Sequence, residues 1–337
     1  MERLIEAWPF LVAPFAACLV IASLHCYMGL HVIRRGVIFV DLALAQSAAL
    51  GAAVWLLVAP LVQPEPHHHH EDAEPAMVTE AWMAEQLDAE DQAPDSPGAW
   101  AGEESAHETD AHQPAAHEHS VFSMGMSLSF SLMGAVLLSF ARIKNERIPH
   151  EAIIGIIFVV CASLSVLILS KAPHGHEKMK AMLVGSILFV GWWQVATMLL
   201  LYLALGAFHF GLRKRFLEIS EDIAGAERAG TRVRLWDCLF YGSFALMVTQ
   251  SVAIAGVFVV FSYLIIPAAC AVLFAGRFGS QLVLAWVVAA ITTVLGLAFS
   301  AAADMPTGSS LVSCFGAVLV LFVVARALLP KARKGVS

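Results

Sequence analysis

The feature that most constrains this chain is a repeated one. Runs of about 20 apolar residues recur along its length, separated mostly by short polar links. Bilayer hydrocarbon is about 30 Å thick, and a helix rising about 1.5 Å per residue crosses it in about 20 residues with its backbone groups bonded internally. Such runs fall at roughly 9–30, 37–62, 121–141, 150–170, 181–210, 237–254, 257–276, 281–303 and 309–329. The expected fold is all-α, a polytopic transmembrane helical bundle of about nine spans. Composition agrees, with 59% hydrophobic and 14% charged residues and a mean hydropathy of +0.74, where a soluble domain carries roughly a quarter charged residues. The first run is too long for a cleaved signal peptide and leads straight into a second span. The fifth is long enough to tilt or to lie partly outside the bilayer. Only a minimal turn at 254–256 divides the sixth from the seventh, so one span plus a short broken helix stays open there.

The net charge of -7 averages two unlike parts. Residues 63–120 carry 15 Asp and Glu and no Lys or Arg, which leaves 12 acidic and 20 basic residues elsewhere. Those basic residues sit at the ends of spans, where membrane topology accounts for them, and nothing suggests nucleic acid. Arg34 and Arg35 follow the first span, Arg142, Lys144 and Arg147 the third, and Arg213, Lys214 and Arg215 the fifth. Arg277 ends the seventh, and Lys331, Arg333 and Lys334 follow the ninth. These positions alternate consistently, so they are expected in the cytoplasm, with the N-terminus and the 63–120 insert outside and the C-terminus inside. The loop at 171–180, with three Lys, dissents mildly. The expected organisation is 1–62, two spans; 63–120, an outer insert; 121–212, three spans; 213–236, a cytoplasmic loop; 237–330, four spans; and 331–337, a cytoplasmic tail. The six Cys all lie in apolar runs without a CxxC, as small buried hydrophobes do.

The insert sets His67, His68, His69, His70, His107, His112, His117 and His119 among its carboxylates. High charge and few large apolar residues predict disorder. Imidazole is a common ligand of divalent transition metals, and a His-rich acidic tract can hold them at many weak sites. A pH-responsive or inert spacer is the other reading. His174 and His176, expected on the same face, favour metal.

Ionisable groups inside a span are costly and therefore point to function. Asp41 is the clearest, with Gln46 five residues on, about 140° around a regular helix. The structural alternative for Asp41 is an interfacial ion pair with Arg34 or Arg35. His25 and His31 do not share a helix face and read as polar contacts between helices. His150 and His209 read as interfacial. Asp304 begins a Pro- and Gly-bearing turn at the outer face. Pro267, mid-span and followed by small residues, predicts a kink with close helix packing, and Ser262 lies one turn before it. In the loop after the fifth span, Phe216, Leu217, Ile219, Ile223 and Ala226 form a helical apolar stripe, fit to dock on a partner or to lie on lipid. No phosphate-binding loop or nucleophile constellation is present in the sequence, so the chain is not expected to be an enzyme, and energy must come from a partner.

Four stretches together give a resemblance. RRGVIFVDLALAQSAALG, IIGIIFVVCASLSVLILS with MLVGSILFV, VFVVFSYLIIPAACAVLF and LAFSAAADMPTGSSLVSC resemble motifs of the permease family of bacterial zinc, manganese and iron ABC importers. The resemblance covers nearly the whole chain apart from 63–120. It implies a homodimer in the bacterial inner membrane, two cytoplasmic ATPase subunits and an external metal-binding protein. It implies no intrinsic cofactor, and Zn2+ as cargo ahead of Mn2+ or Fe2+. By resemblance, Glu218, Ser220, Glu221, Asp222, Ala224, Gly225 and Gly230 belong to the ATPase-coupling region. Asp41, Gln46, Ser262, Pro267 and Asp304 are candidates for the translocation pathway. One departure stands out: the family places His four residues after its second-span Asp, whereas this chain has Gln46 five after Asp41. Two other classes stay open, a self-sufficient secondary metal transporter and a membrane metal sensor. The near absence of intramembrane carboxylates weighs against the first.

Overall fold

The computed structural model describes residues 2–62, 113–141, 149–172 and 175–329, apart from the side chains of 2–9, 60, 113–121 and 176–178. The chain divides into two units, residues 1–58 with 120–337 and residues 59–119. The first unit holds nearly all of the spanning residues. Most of the His-rich insert lies outside the described residues, as do His174 and the side chains of His117, His119 and His176.

The elements are α1 (Glu2–Arg35), α2 (Val40–Val62), α3 (Gln113–Phe140), α4 (His150–Leu169), α5 (Gly175–Val184), a 3-10 turn (Ile187–Phe189), α6 (Trp192–Gly211), α7 (Arg213–Glu221), α8 (Ile223–Arg228), α9 (Val233–Ala255), α10 (Val257–Phe274), α11 (Phe278–Ala303) and α12 (Thr307–Leu328). Among the described residues, nine of these helices are long and apolar enough to cross a bilayer. The expected nine spans are therefore present. The sixth and seventh are full helices, parted at Gly256, whose φ of 79° is open to glycine and strained for other residues. The fifth span is shorter than its sequence suggested. Gly185, at φ 73°, ends α5, and the spanning helix starts only at Trp192.

Glycine closes α1 as well. Gly36 takes φ 65°, its N–H bonds Ile33 and that of Val37 bonds Val32, a left-handed cap that fixes Arg34 and Arg35 in the last turn. Along its length α1 packs on α10 and α11, and α12 packs on both of those. Gly29 allows this, because a Cβ there would strike the Leu264 carbonyl of α10. Pro267 supplies the other half of the contact. Lacking an N–H, it leaves the Tyr263 carbonyl unpaired within α10, and the Cys26 thiol of α1 donates to that oxygen at 4.0 Å.

Burial separates the helices by role. The apolar window of α2 is 67% buried, so polar groups on any of its faces meet protein. That of α4 has the highest mean hydropathy, 3.0, yet is only 17% buried, as suits a lipid-facing helix. Hydrogen bonds place the starts of α4 and α11, α7 and the end of α1 at one end of the bundle: Glu151 accepts from the Ile38 N–H at 3.2 Å, and Arg34 donates to Glu221 and Gln281 at 2.6 and 2.9 Å. At the other end the backbones of Gly185 and Gly256 meet directly, and Gly308 lies against the Val184 carbonyl.

Candidate translocation site

Two polar groups of residues are buried in the spans, and they differ in whether the charged side chain at the centre is paired. The first sits where the basic end of α1 meets α7. Arg35 donates through Nη1 to Asp237 of α9 at 2.7 Å, with both side chains 2% exposed, and through Nε to Ser220 of α7 at 2.9 Å. Its guanidinium lies 4.0 Å from the Phe240 ring centroid. Ser220 spends its own proton on the Phe216 carbonyl at 2.7 Å, so it accepts from both Arg35 and His31 Nδ1, the latter at 2.8 Å. Nearby His209 bonds Ser243 through Nε2 at 2.8 Å and stacks on Phe216 at 4.5 Å. His209, in the last turn of α6, is buried because α7 folds back and covers it.

This junction anchors the loop that the sequence marked for coupling. The expected single stripe is two helices. Asp222 caps α8 by accepting from Gly225 N at 2.8 Å, where a Cβ on residue 225 would collide with that carboxylate. Gly230, at φ 80°, ends α8 as Gly36 ends α1. Phe216, Ile219 and Ala226 face inward, and Glu218, Glu221, Asp222, Ala224 and Gly230 are exposed. Ser220, expected among the outward coupling residues, is instead part of the anchor.

The second group lies deeper. His25 Nδ1 bonds the Ile21 carbonyl of its own helix at 2.9 Å. That fixes the proton on Nδ1 and leaves the Nε2 lone pair bare, and Nε2 is buried with no partner among the described residues. The ring stacks on Tyr202 of α6 at 5.9 Å. The Tyr202 hydroxyl bonds Ser251 of α9, whose own proton goes to the Met247 carbonyl. Asp41 is 1% exposed and within electrostatic range of Tyr202, and its Oδ1 has no hydrogen-bond partner among the described residues. The expected ion pair between Asp41 and Arg34 or Arg35 does not form, since the two arginines pair with Glu221 and Asp237. Thr249 Oγ1 is likewise buried without a partner among the described residues. Gln46 is buried although it points away from the Asp41 face, because α2 is surrounded by protein.

The remaining candidates do not join this group. Ser262 bonds the Phe258 carbonyl of its own helix at 2.8 Å, and Pro267 belongs to the α1–α10 contact. Asp304 is exposed at the far end, in the left-handed conformation at φ 53°. Its turn is held by Ser300, which bonds the Met305 carbonyl at 2.7 Å and Thr307 at 3.0 Å. Among the described residues no three His, Cys, Asp or Glu side chains converge to hold a metal ion. The deep group can offer a passing cation a carboxylate, a bare imidazole nitrogen and hydroxyl oxygens from separate helices, without a cage. Sequence reading missed Tyr202, Thr249, Ser251 and Asp237. The available signal was a lone hydroxyl or carboxyl within or at the edge of an apolar run.

The model of the ABC 3 transport family matches residues 119–326. The chain is similar to the manganese transport system membrane protein MntC of Listeria innocua, 26% identical over 218 residues, which are 62% of this chain and 75% of that one. It is also similar to the manganese import system permease protein ScaB of Streptococcus parasanguinis, 26% identical over 214 residues, 62% of this chain and 72% of that one. In fold it matches PsaBC from Streptococcus pneumoniae, solved in complex with Fab, with a TM-score of 0.67 and 18% identity over 99% of this chain and 98% of that one.

Proposed function

The chain belongs to the ABC 3 transport family, and on that premise we propose that it is the permease subunit of an ATP-driven importer of a divalent transition metal, with manganese ahead of zinc and iron. The observation that carries the cargo reading is Asp41. A carboxylate buried inside the bundle, with an oxygen that lacks a hydrogen-bond partner among the described residues, is costly to keep, and a passing cation supplies the missing counter-charge. Its neighbours favour manganese over the zinc expected from the His-rich insert. Carboxylate and hydroxyl oxygens suit Mn2+, His25 is the one imidazole in the deep group, and no His stands four residues after Asp41. The relatives' names point the same way.

Energy comes from separate ATPase subunits docking on the exposed face of α7 and α8, chiefly at Glu218, Glu221, Asp222, Ala224 and Gly230. Gly225 shapes the cap between the two helices. The Arg35–Asp237–Ser220 junction passes the movement of that face into α1 and α9. Two copies of the chain pair in the bacterial inner membrane, with the N-terminus outside and the Arg34 end in the cytoplasm. An external binding protein delivers metal to the face that carries Asp304, where the His-rich insert and His174 and His176 raise its local concentration. Ser262 and Pro267 act by letting α10 move against α1. The test is Mn2+ and Zn2+ uptake into vesicles holding the purified chain, with and without its ATPase and ATP. Uptake that requires both, with Mn2+ preferred, is the expected outcome. Metal flux by the chain alone against a gradient contradicts the reading.

A further inference from the structure

A cavity of about 740 Å³ opens beside α6, between α1, α7 and α11, and of the deep polar group it touches Tyr202 alone. Its deep end is apolar, walled by Leu24, Leu203, Leu282 and Trp286. Its shallow end carries Arg213 and Lys214, and neither has a carboxylate within ion-pairing distance among the described residues. Arg213 lies instead over the Phe210 ring at 4.2 Å. Between the two ends the rings of Tyr27 and His209 line the cavity. The order is thus charge, then two polar aromatic rings, then apolar wall. From Tyr202 to Phe210 the α6 wall runs eight residues, about 12 Å at 1.5 Å per residue, most of the depth of one hydrocarbon leaflet.

We propose that this groove holds one anionic phospholipid from the leaflet on the Arg213 side. Its phosphate lies at Arg213 and Lys214, its glycerol region against Tyr27 and His209, and an acyl chain runs inward to Trp286. Two uncompensated cations at the mouth repel a divalent metal, which separates this cavity from the cargo route. They equally attract a phosphodiester, at roughly fivefold in binding per basic side chain near the surface.

The experiment reads Trp286 from within the groove. The full chain is reconstituted in phosphatidylcholine vesicles containing mid-chain-brominated phosphatidylglycerol or, at equal mole fraction, brominated phosphatidylcholine. The Trp286 contribution is the difference from a Trp286→Phe variant. The expected result is severalfold stronger quenching by the brominated anionic lipid. That excess disappears in the Arg213→Ala/Lys214→Ala variant and in Gly206→Leu, which fills the groove where a Cβ meets no atom within 4 Å. Equal quenching by the two lipids means ordinary bulk contact and overturns the proposal. So does an excess that survives either variant. Absence of quenching by both lipids means that a protein surface, such as a second copy of the chain, covers the groove, and this overturns it as well.

Discussion

The two buried polar groups make opposite use of the same costly material. At the basic end of α1, Arg35 faces the carboxylate of Asp237 and the hydroxyl of Ser220, and the three elements that meet there are locked together. Deeper in the spans, by contrast, an Asp41 carboxylate oxygen, the Nε2 of His25 and the Thr249 hydroxyl are all buried without a hydrogen bond among the described residues. A paired group resists rearrangement, and an unpaired one is ready for something else. On the proposed function, the first transmits force and the second contacts cargo.

The largest effect is expected from breaking the paired group. Asp237→Asn leaves the Arg35 charge buried without its counter-ion and should cost about 3–5 kcal/mol, seen as a lower melting temperature and lost metal uptake. If the charge pair is the cause, Arg35→Gln/Asp237→Asn recovers part of that stability, which a double-mutant cycle measures. Asp41→Asn should do the reverse. Uptake falls on the order of a hundredfold, about 2.7 kcal/mol of barrier, while the melting temperature hardly moves, because Asp41 Oδ1 has no bond to lose among the described residues. A large stability loss in that variant would erase the distinction between the two groups. Ser220→Ala removes the shared acceptor of Arg35 and His31 and should cost about 1–3 kcal/mol. Its signature is ATP hydrolysis that persists with little uptake. The smallest effect is that of Tyr202→Phe, about 1 kcal/mol or roughly fivefold in uptake, from the lost bond to Ser251.

How far the sequence foretold these groups depends on the range of the interaction. The spans were legible because apolar length is local, and the turn expected at 254–256 falls where Gly256 makes one. The fifth span was overdrawn because Gly185 lies in an apolar stretch, and apolar length alone does not show a break in the backbone. Asp41 stood out as a charge in a hydrophobic run, but its surroundings did not. Its neighbour Tyr202 comes from α6, and the partner of Arg35 lies 202 residues along the chain. The burial of His209 was hidden for the same reason, since only the fold shows α7 turning back over it. The unpaired state of His25 Nε2 needs the Ile21 bond to be seen before the free lone pair can be deduced.

The most direct test measures ATP hydrolysis and Mn2+ uptake together, in vesicles carrying the Asp41→Asn chain with its ATPase partner. Hydrolysis near the unaltered rate with uptake nearly abolished is the predicted result, since the coupling junction is intact and the cargo contact is gone. Uptake at the unaltered rate would contradict the role assigned to Asp41. So would parallel loss of both activities, which would make Asp41 another part of the junction.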